Sequence, residues 1–272
     1  MPDKLEAQYL RPDQIIAERE RTSLVFLPIG PLEWHGPHLI LGTDPLRAHV
    51  AALELAERLG GIVMPTLYCG TERERRPDML ESIGFDRDEY VVGMDFPANA
   101  LKSLYFKEEV FAVLLRNYLE LLIDDWRFKR VVLVNGHGGE NHLAVIDRLA
   151  REFEATREAR VVRVAPSLGF PDGKWSHATR EETETVMVFY PENVDVSKLP
   201  PTNQPLENTK WAIVDDQTFR GTPTADFTVR PEEDPRDSDA RDGRRVFAET
   251  IAQMEQYLVR ELGLVEAAGG RG

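Results

Sequence analysis

Residues 33–44 read EWHGPHLILGTD and place Glu33, His35, His38 and Asp44 within twelve positions of a chain that has six histidines in all. Carboxylates and imidazoles together suit a divalent cation such as Zn, Mn, Fe or Ni rather than a soft thiolate metal. Glu33 and His35 are two apart, so in an extended segment their side chains point the same way. Asp44 follows after an excursion long enough to return to them. The competing reading is a polar loop, with Asp44 acting as the N-cap of a helix whose first position is Pro45.

Two further stretches carry groups of this kind. NGHGGEN (135–141) sets His137 directly after the apolar run VVLV. It reads as a ligand-bearing turn or as a glycine-rich phosphate cradle, although Glu140 at the following helix start opposes an anion. HATREETETVMVFYPENVD (177–195) sets His177 five residues before Glu182, ahead of an apolar helical run. Acidic residues also suit a helix start for dipole reasons alone. His49 reads as a packed or surface helix residue, His142 as exposed at a helix start, and Cys69 as structural. TERERR (71–76) is a solvated charge run or a lid. Arg73, Arg75 and Arg76 are solvated or meet an anionic substrate. Trp175 packs beneath its loop or walls a planar ring. DSDARDG (237–243) lacks the spacing and closing glutamate of a calcium loop.

These groups need a scaffold, and its elements are legible. SLVFLPIG (23–30), IVMPTLY (62–68), RVVLVNG (130–136) and RVVRVAP (160–166) read as buried strands. Helices are expected over 44–61, 107–126, 140–158 and 241–262, the first closed by Gly60-Gly61. Residues 69–105 show no clean period, and 196–235 are rich in proline and turns, with a strand or two. Strands alternating with helices imply βαβ units and a mainly parallel sheet covered on both faces. Ligands in such sheets bind beyond the carboxyl ends of the strands. The loops bearing EWHG and NGHGG therefore open on one edge. No composition break marks a linker, so one domain over 1–272 is expected, with a charged insertion near 72–92 and a flexible tail from about 264.

Composition excludes several classes. The 33 basic residues against 47 acidic ones give a net charge of −14. That balance repels phosphate backbones and argues against nucleic acid. One cysteine excludes an internal disulfide and points to a reducing compartment. No uncharged run approaches the ~20 residues that span a bilayer. No signal-peptide pattern opens the chain. A soluble, cytoplasmic protein is expected.

Taken together, these stretches resemble the creatininase (creatinine amidohydrolase) family. LPIGPLEWHGPHLILGTD (27–44) follows the family pattern LP-x-G-x-x-E-x-H-G-x-H-L-P-x-x-T-D. NGHGGEN corresponds to NGHGGN. HATREETETVMVFYPENVD follows HAG-x-x-ET with its apolar helix and PE-x-VD, with no gap. FPANALKSL (96–104) and EDPRDSDARDGRR (233–245) are weaker echoes. The likeness runs over roughly residues 20–260.

The resemblance implies a three-layer α/β/α sandwich with a two-metal centre, usually in a homo-hexamer. It places metal ligands at Glu33, His35, Asp44 and His137, with Asp44 bridging two divalent ions (Zn, Mn or Fe). The fifth ligand is contested. In creatininase it stands two residues after the histidine of the second motif, a slot filled here by Gly139. Glu182 of the ET motif is favoured over Glu140. His177 matches the proton-transfer position, with an ordinary pKa near ~6.5 that suits the task. His38 has no ligand position to match and is left a supporting role.

The expected chemistry is attack of a two-metal-activated hydroxide on a non-peptide C–N bond, in a small cyclic amide or a formamide. Creatininase carries a Tyr-Glu pair where this chain has Gly138-Gly139, so creatinine itself is disfavoured as substrate. The charged insertion is expected to cap the pocket and set substrate choice. The alternatives are a metal-dependent lactonase or peptidase, or a non-catalytic binding protein on the same scaffold.

Overall fold

The computed structural model describes residues 5–97, 99, 101–167, 169–171, 177–204, 206–208, 213–214 and 229–264. Its strands are β1 (Leu24–Ile29), β2 (Ile62–Val63), β3 (Arg130–Asn135) and β4 (Arg160–Val164). They form one parallel sheet in the order β2–β1–β3–β4. Val25 pairs with both Ile62 and Val131, and Val131 with Val161. The helices are α1 (Pro12–Thr22), α2 (Thr43–Leu59), α3 (Pro77–Ser82), α4 (Glu108–Glu120), α5 (Glu140–Thr156), α6 (Arg180–Phe189) and α7 (Ala240–Leu262). Glu207–Asn208 and Ile213–Val214 form a separate short antiparallel pair, β5 and β6.

The strands are buried on both faces, so they read as near-continuous apolar runs. Alternation then sorts their side chains into two cores. Val25, Leu27, Ile29, Val131 and Leu133 pack against Phe111 and Leu115 of α4 and Ile146, Leu149 and Phe153 of α5. Leu24, Phe26, Val132 and Val134 pack against Ala51 and Leu55 of α2 and Ile251, Met254 and Leu258 of α7. The result is the expected three-layer α/β/α sandwich. Each fully buried large side chain contributes ~1.5–3 kcal/mol by transfer from water.

Several boundaries differ from expectation for local reasons. The strand expected over 62–68 breaks after Val63. Pro65 follows the Met64 N–H bond to the Phe26 carbonyl, and the chain rejoins the sheet where Leu67 bridges Ile29. The helix expected over 107–126 closes with a π-helical turn, Leu121–Asp125. Helix α2 begins at Thr43 with Gly42 at its N-cap, so Asp44 lies inside the first turn and does not cap. Asp239 does cap α7, accepting from the backbone N–H groups of Arg241 and Asp242.

The charged insertion is more than a solvated loop. Leu80, Ile83, Phe85, Val91, Met94 and Phe96 bury one another in a small core of their own, with Trp34 packed against it. The Trp34 ring meets Phe96 edge to face at 6.3 Å. Bridges Glu74–Val92 and Leu32–Leu104 tie the segment together and to the first motif. Among the described residues no helix is long and apolar enough to cross a membrane. The tail expected from about 264 falls outside them beyond Leu264.

Candidate metal centre

Three segments converge at the carboxyl end of the sheet. The β1–α2 connection carries Glu33 and His35, the first turn of α2 carries Asp44, and the β3–α5 loop carries His137. Helix α6 adds Glu182, and the turn before it adds His177. The close seating requires Gly136: a Cβ there would lie 2.2 Å from the Asp44 carbonyl oxygen. Any side chain at 136 would push the end of β3 off the start of α2.

Asp44 sits in the middle. Its Oδ1 accepts from His35 Nε2 at 3.1 Å and its Oδ2 from His137 Nδ1 at 3.1 Å. His137 Nδ1 also donates to Glu33 Oε2 at 3.2 Å. Glu182 Oε2 lies 3.7 Å from His35 Nε2, and Glu33 Oε2 lies 3.7 Å from His177 Nδ1. The potential ligand atoms fall into buried trios, each within 4.8 Å: Glu33–Asp44–His137, His35–Asp44–Glu182 and Glu33–His35–His177. The first two share Asp44.

Surrounding groups fix these side chains. His35 Nδ1 donates to the Glu33 carbonyl at 3.0 Å, which aims Nε2 into the cluster. Tyr105 donates its hydroxyl hydrogen to Glu33 Oε1. Arg47 Nη1 donates to Glu182 Oε1 at 2.5 Å, and its Nη2 donates to the Pro166 carbonyl and to Glu181. Ala178 holds a left-handed φ of 57°, costly for a residue with a Cβ, and its N–H donates to Glu182 Oε2 at 2.6 Å. Asn135 donates to the His137 carbonyl at 2.6 Å and accepts from His142 Nε2 at 2.8 Å.

Charge explains the titration of the cluster. Burial opposes ionisation at Glu33, His35, Asp44, His137 and His177. At His35 the Asp44 and Glu182 carboxylates overcome it and raise the pKa to about 9. At His137 burial is likewise outweighed, by Glu33 and Asp44, and the pKa rises well above the ordinary value. Against burial, the two imidazoliums hold Asp44 well below the usual carboxylate range. Glu33 is lowered against burial by His137 and His177. His177 moves the other way, lowered by burial and by the charge of His35. Imidazolium protons thus supply positive charge beside the buried Glu33 and Asp44 carboxylates, while Arg47 supplies it to Glu182. A divalent cation would meet the same demand, and the donor set of carboxylates and imidazoles fits one.

All five residues expected as ligands and the expected proton-transfer histidine therefore lie together. Glu140, the rival fifth ligand, faces away: its side chain is 84% exposed and lies 3.6 Å from Arg73 Nη1. His38 is buried and donates from Nε2 to Thr183 Oγ1 at 3.1 Å. Burial holds its pKa down to about 3. His49 sits outside the cluster, near Thr66 and Glu6. Cys69 is buried, and burial raises its thiol to about 11.

Two expectations need correction. His142 is fully buried rather than exposed, because its ring stacks on Phe111 at 4.4 Å. Arg75 is not a solvated charge: its Nε donates to the Gly93 carbonyl at 2.8 Å. Arg76, by contrast, is exposed beside Asp78. Trp175 lies outside the described residues.

Sequence reasoning missed Arg47 and Tyr105. Arg47 lies three residues after Asp44 on one helix, hence on the same face, and a cation on so apolar a helix was a usable signal. Tyr105 had no such local mark.

Comparison with known proteins agrees with this architecture. The creatininase family profile, described as creatinine amidohydrolase, matches residues 8–258. The creatinine amidohydrolase of Pseudomonas putida is 25% identical over 67% of this chain and 71% of its own length. The mycofactocin precursor peptide peptidase of Mycobacterium ulcerans is 25% identical over 87% of this chain and 84% of its own. A solved Mn creatininase superposes with a TM-score of 0.65 at 18% identity, covering 95% of this chain and 98% of that one. With the profile spanning nearly its whole length, the chain belongs to the creatininase family.

Proposed function

We propose that this protein is a metal-dependent amidohydrolase that cleaves a non-peptide C–N bond in a small cyclic amide or formamide. One observation carries the reading: two buried ligand trios share Asp44, with His177 Nδ1 3.7 Å from Glu33 Oε2 beside them. Glu33, Asp44 and His137 would hold one divalent ion, and His35, Asp44 and Glu182 the other. When bound, such a pair supplies an activated water and a Lewis acid for the scissile carbonyl.

The chain's own groups do the rest. Asp44 directs one oxygen to each side of the centre and holds the two halves in register. Arg47 and the Ala178 N–H orient the Glu182 carboxylate. His177 donates from Nε2 to the Trp34 carbonyl at 2.8 Å, which leaves Nδ1 as the basic atom facing the cluster. Because burial lowers its pKa, His177 is neutral near pH 7 and ready to take a proton there. It accepts the proton of the attacking water at Nδ1 and returns it to the leaving nitrogen.

A second reading is peptide-bond hydrolysis, favoured by the mycofactocin peptidase match over 84% of that protein. The deciding experiment is elemental analysis of the purified chain, followed by assay against formamides, cyclic ureides, lactones and short peptides with Zn, Mn or Fe. Two ions per chain and turnover of a formamide or cyclic amide are expected. Turnover of peptides alone would favour the second reading, and fewer than one ion per chain after repletion would overturn the metal centre.

A further inference from the structure

The candidate centre leaves one buried ring atom without a hydrogen-bond partner, His137 Nε2. The other ring nitrogen, Nδ1, faces Glu33 and Asp44. A cation held at Nδ1 puts the ring hydrogen on Nε2. Buried N–H groups are paired almost without exception. Ligating histidines give this hydrogen to a carboxylate, a carbonyl or water, and that partner fixes the ring.

The space beside Nε2 is defined by Gly139. A Cβ at that position would lie 2.6 Å from His137 Nε2 and 3.1 Å from Glu72 Oε1. The two atoms therefore lie close to each other on the same side of Gly139, within reach of one bridging water. No side chain other than hydrogen fits there without displacing them.

Glu72 belongs to the charge run TERERR, yet its side chain is 9% exposed. Its Oε1 accepts the Arg73 backbone N–H at 3.0 Å, and Arg75 Nη2 stands 3.8 Å from its Oε2. Arg75 is itself anchored on the Gly93 carbonyl. The carboxylate is thus carried to the side of His137 by the charged insertion and held there.

We propose that Glu72 is a positioning residue of the metal centre, accepting the His137 Nε2 hydrogen through one water beside Gly139. The charged insertion would then help to hold the ion at Glu33, Asp44 and His137. This inference rests on the metal-centre reading above.

The test measures ion affinity rather than turnover. Zn2+ binding to the full chain is followed by competition with a chromogenic chelator, and the Co2+ form by its visible absorption. In Glu72→Ala, affinity at one of the two sites is expected to fall roughly 10–100-fold, with the other site unchanged. Glu72→Gln, which keeps an acceptor oxygen, is expected to fall less. The Co2+ bands of the weakened site shift in both variants, and in Glu72→Gln, which keeps the hydrogen-bonding oxygen, the melting temperature of the chelator-treated protein stays at the wild-type value. Wild-type affinity in Glu72→Ala overturns the proposal and leaves the centre intact. Equal loss at both sites with a lowered metal-free melting temperature also overturns it, as general damage. A wild-type chain that binds neither ion instead overturns the metal centre and this inference with it.

Discussion

Arg47 and Glu182 form a buried ion pair, Nη1 to Oε1 at 2.5 Å, that ties the first turns of α2 to α6 across 135 positions of sequence. Both side chains are about 5% exposed. The pair leaves Oε2 of Glu182 directed at His35 and the Ala178 N–H. One carboxylate therefore serves structure with one oxygen and the candidate centre with the other.

Removing the cation should strand a buried charge. Arg47→Met is expected to destabilise the metal-free protein by ~3–5 kcal/mol. Urea unfolding of chelator-treated wild type and variant measures it. A change below ~1 kcal/mol would show that water or another group already neutralises Glu182.

The two contested glutamates give opposite outcomes. Glu182→Gln is expected to bind one divalent ion per chain in place of two, while Glu140→Gln retains both. Elemental analysis after dialysis against limiting metal decides between them. Reversed results would return the fifth ligand to the second motif.

His177 is expected to matter for rate and not for ion content. His177→Gln should lower kcat by ~10²–10⁴ with both ions retained. Steady-state kinetics and metal analysis on one preparation check it. Loss of an ion in this variant would recast His177 as a ligand.

Stability of the metal-free protein should depend on pH in a set direction. His35 binds its proton with a pKa of about 9 in the fold, against ~6.5 for an ordinary histidine. Its contribution is complete below the ordinary value and is lost as pH rises through the folded one. Asp44, held low, acts oppositely and loses its contribution in acid. The metal-free melting temperature should therefore fall between about pH 7 and pH 10, while the metal-loaded protein stays flatter over that range. Calorimetry of both forms tests this, and parallel curves would contradict it.

The parts legible from sequence were those encoded over short range. Strands buried on both faces read as unbroken apolar runs. Gly60-Gly61 marked the end of α2, and Glu33, His35 and Asp44 lay within one motif. What stayed hidden depends on packing between distant segments. His142 looked exposed because nothing local shows that Phe111 will cover it. Glu72 looked solvated because its neighbours Arg73 and Glu74 are charged, and only the fold turns its carboxylate toward Gly139. Asp44 looked like a cap because Pro45 follows it. The helix starts one residue earlier, which frees its carboxylate for the imidazoles.

The small core formed by Leu80, Ile83, Phe85, Val91, Met94 and Phe96 has a consequence for how such proteins diversify. A segment that satisfies its own apolar residues can change sequence without reworking the two cores beneath it. The floor of the candidate centre, seated backbone to backbone at Gly136 and Asp44, is by contrast intolerant of even a methyl group. Changes in the segment can therefore be absorbed by its own core, with Trp34 the side chain that packs it against the first motif.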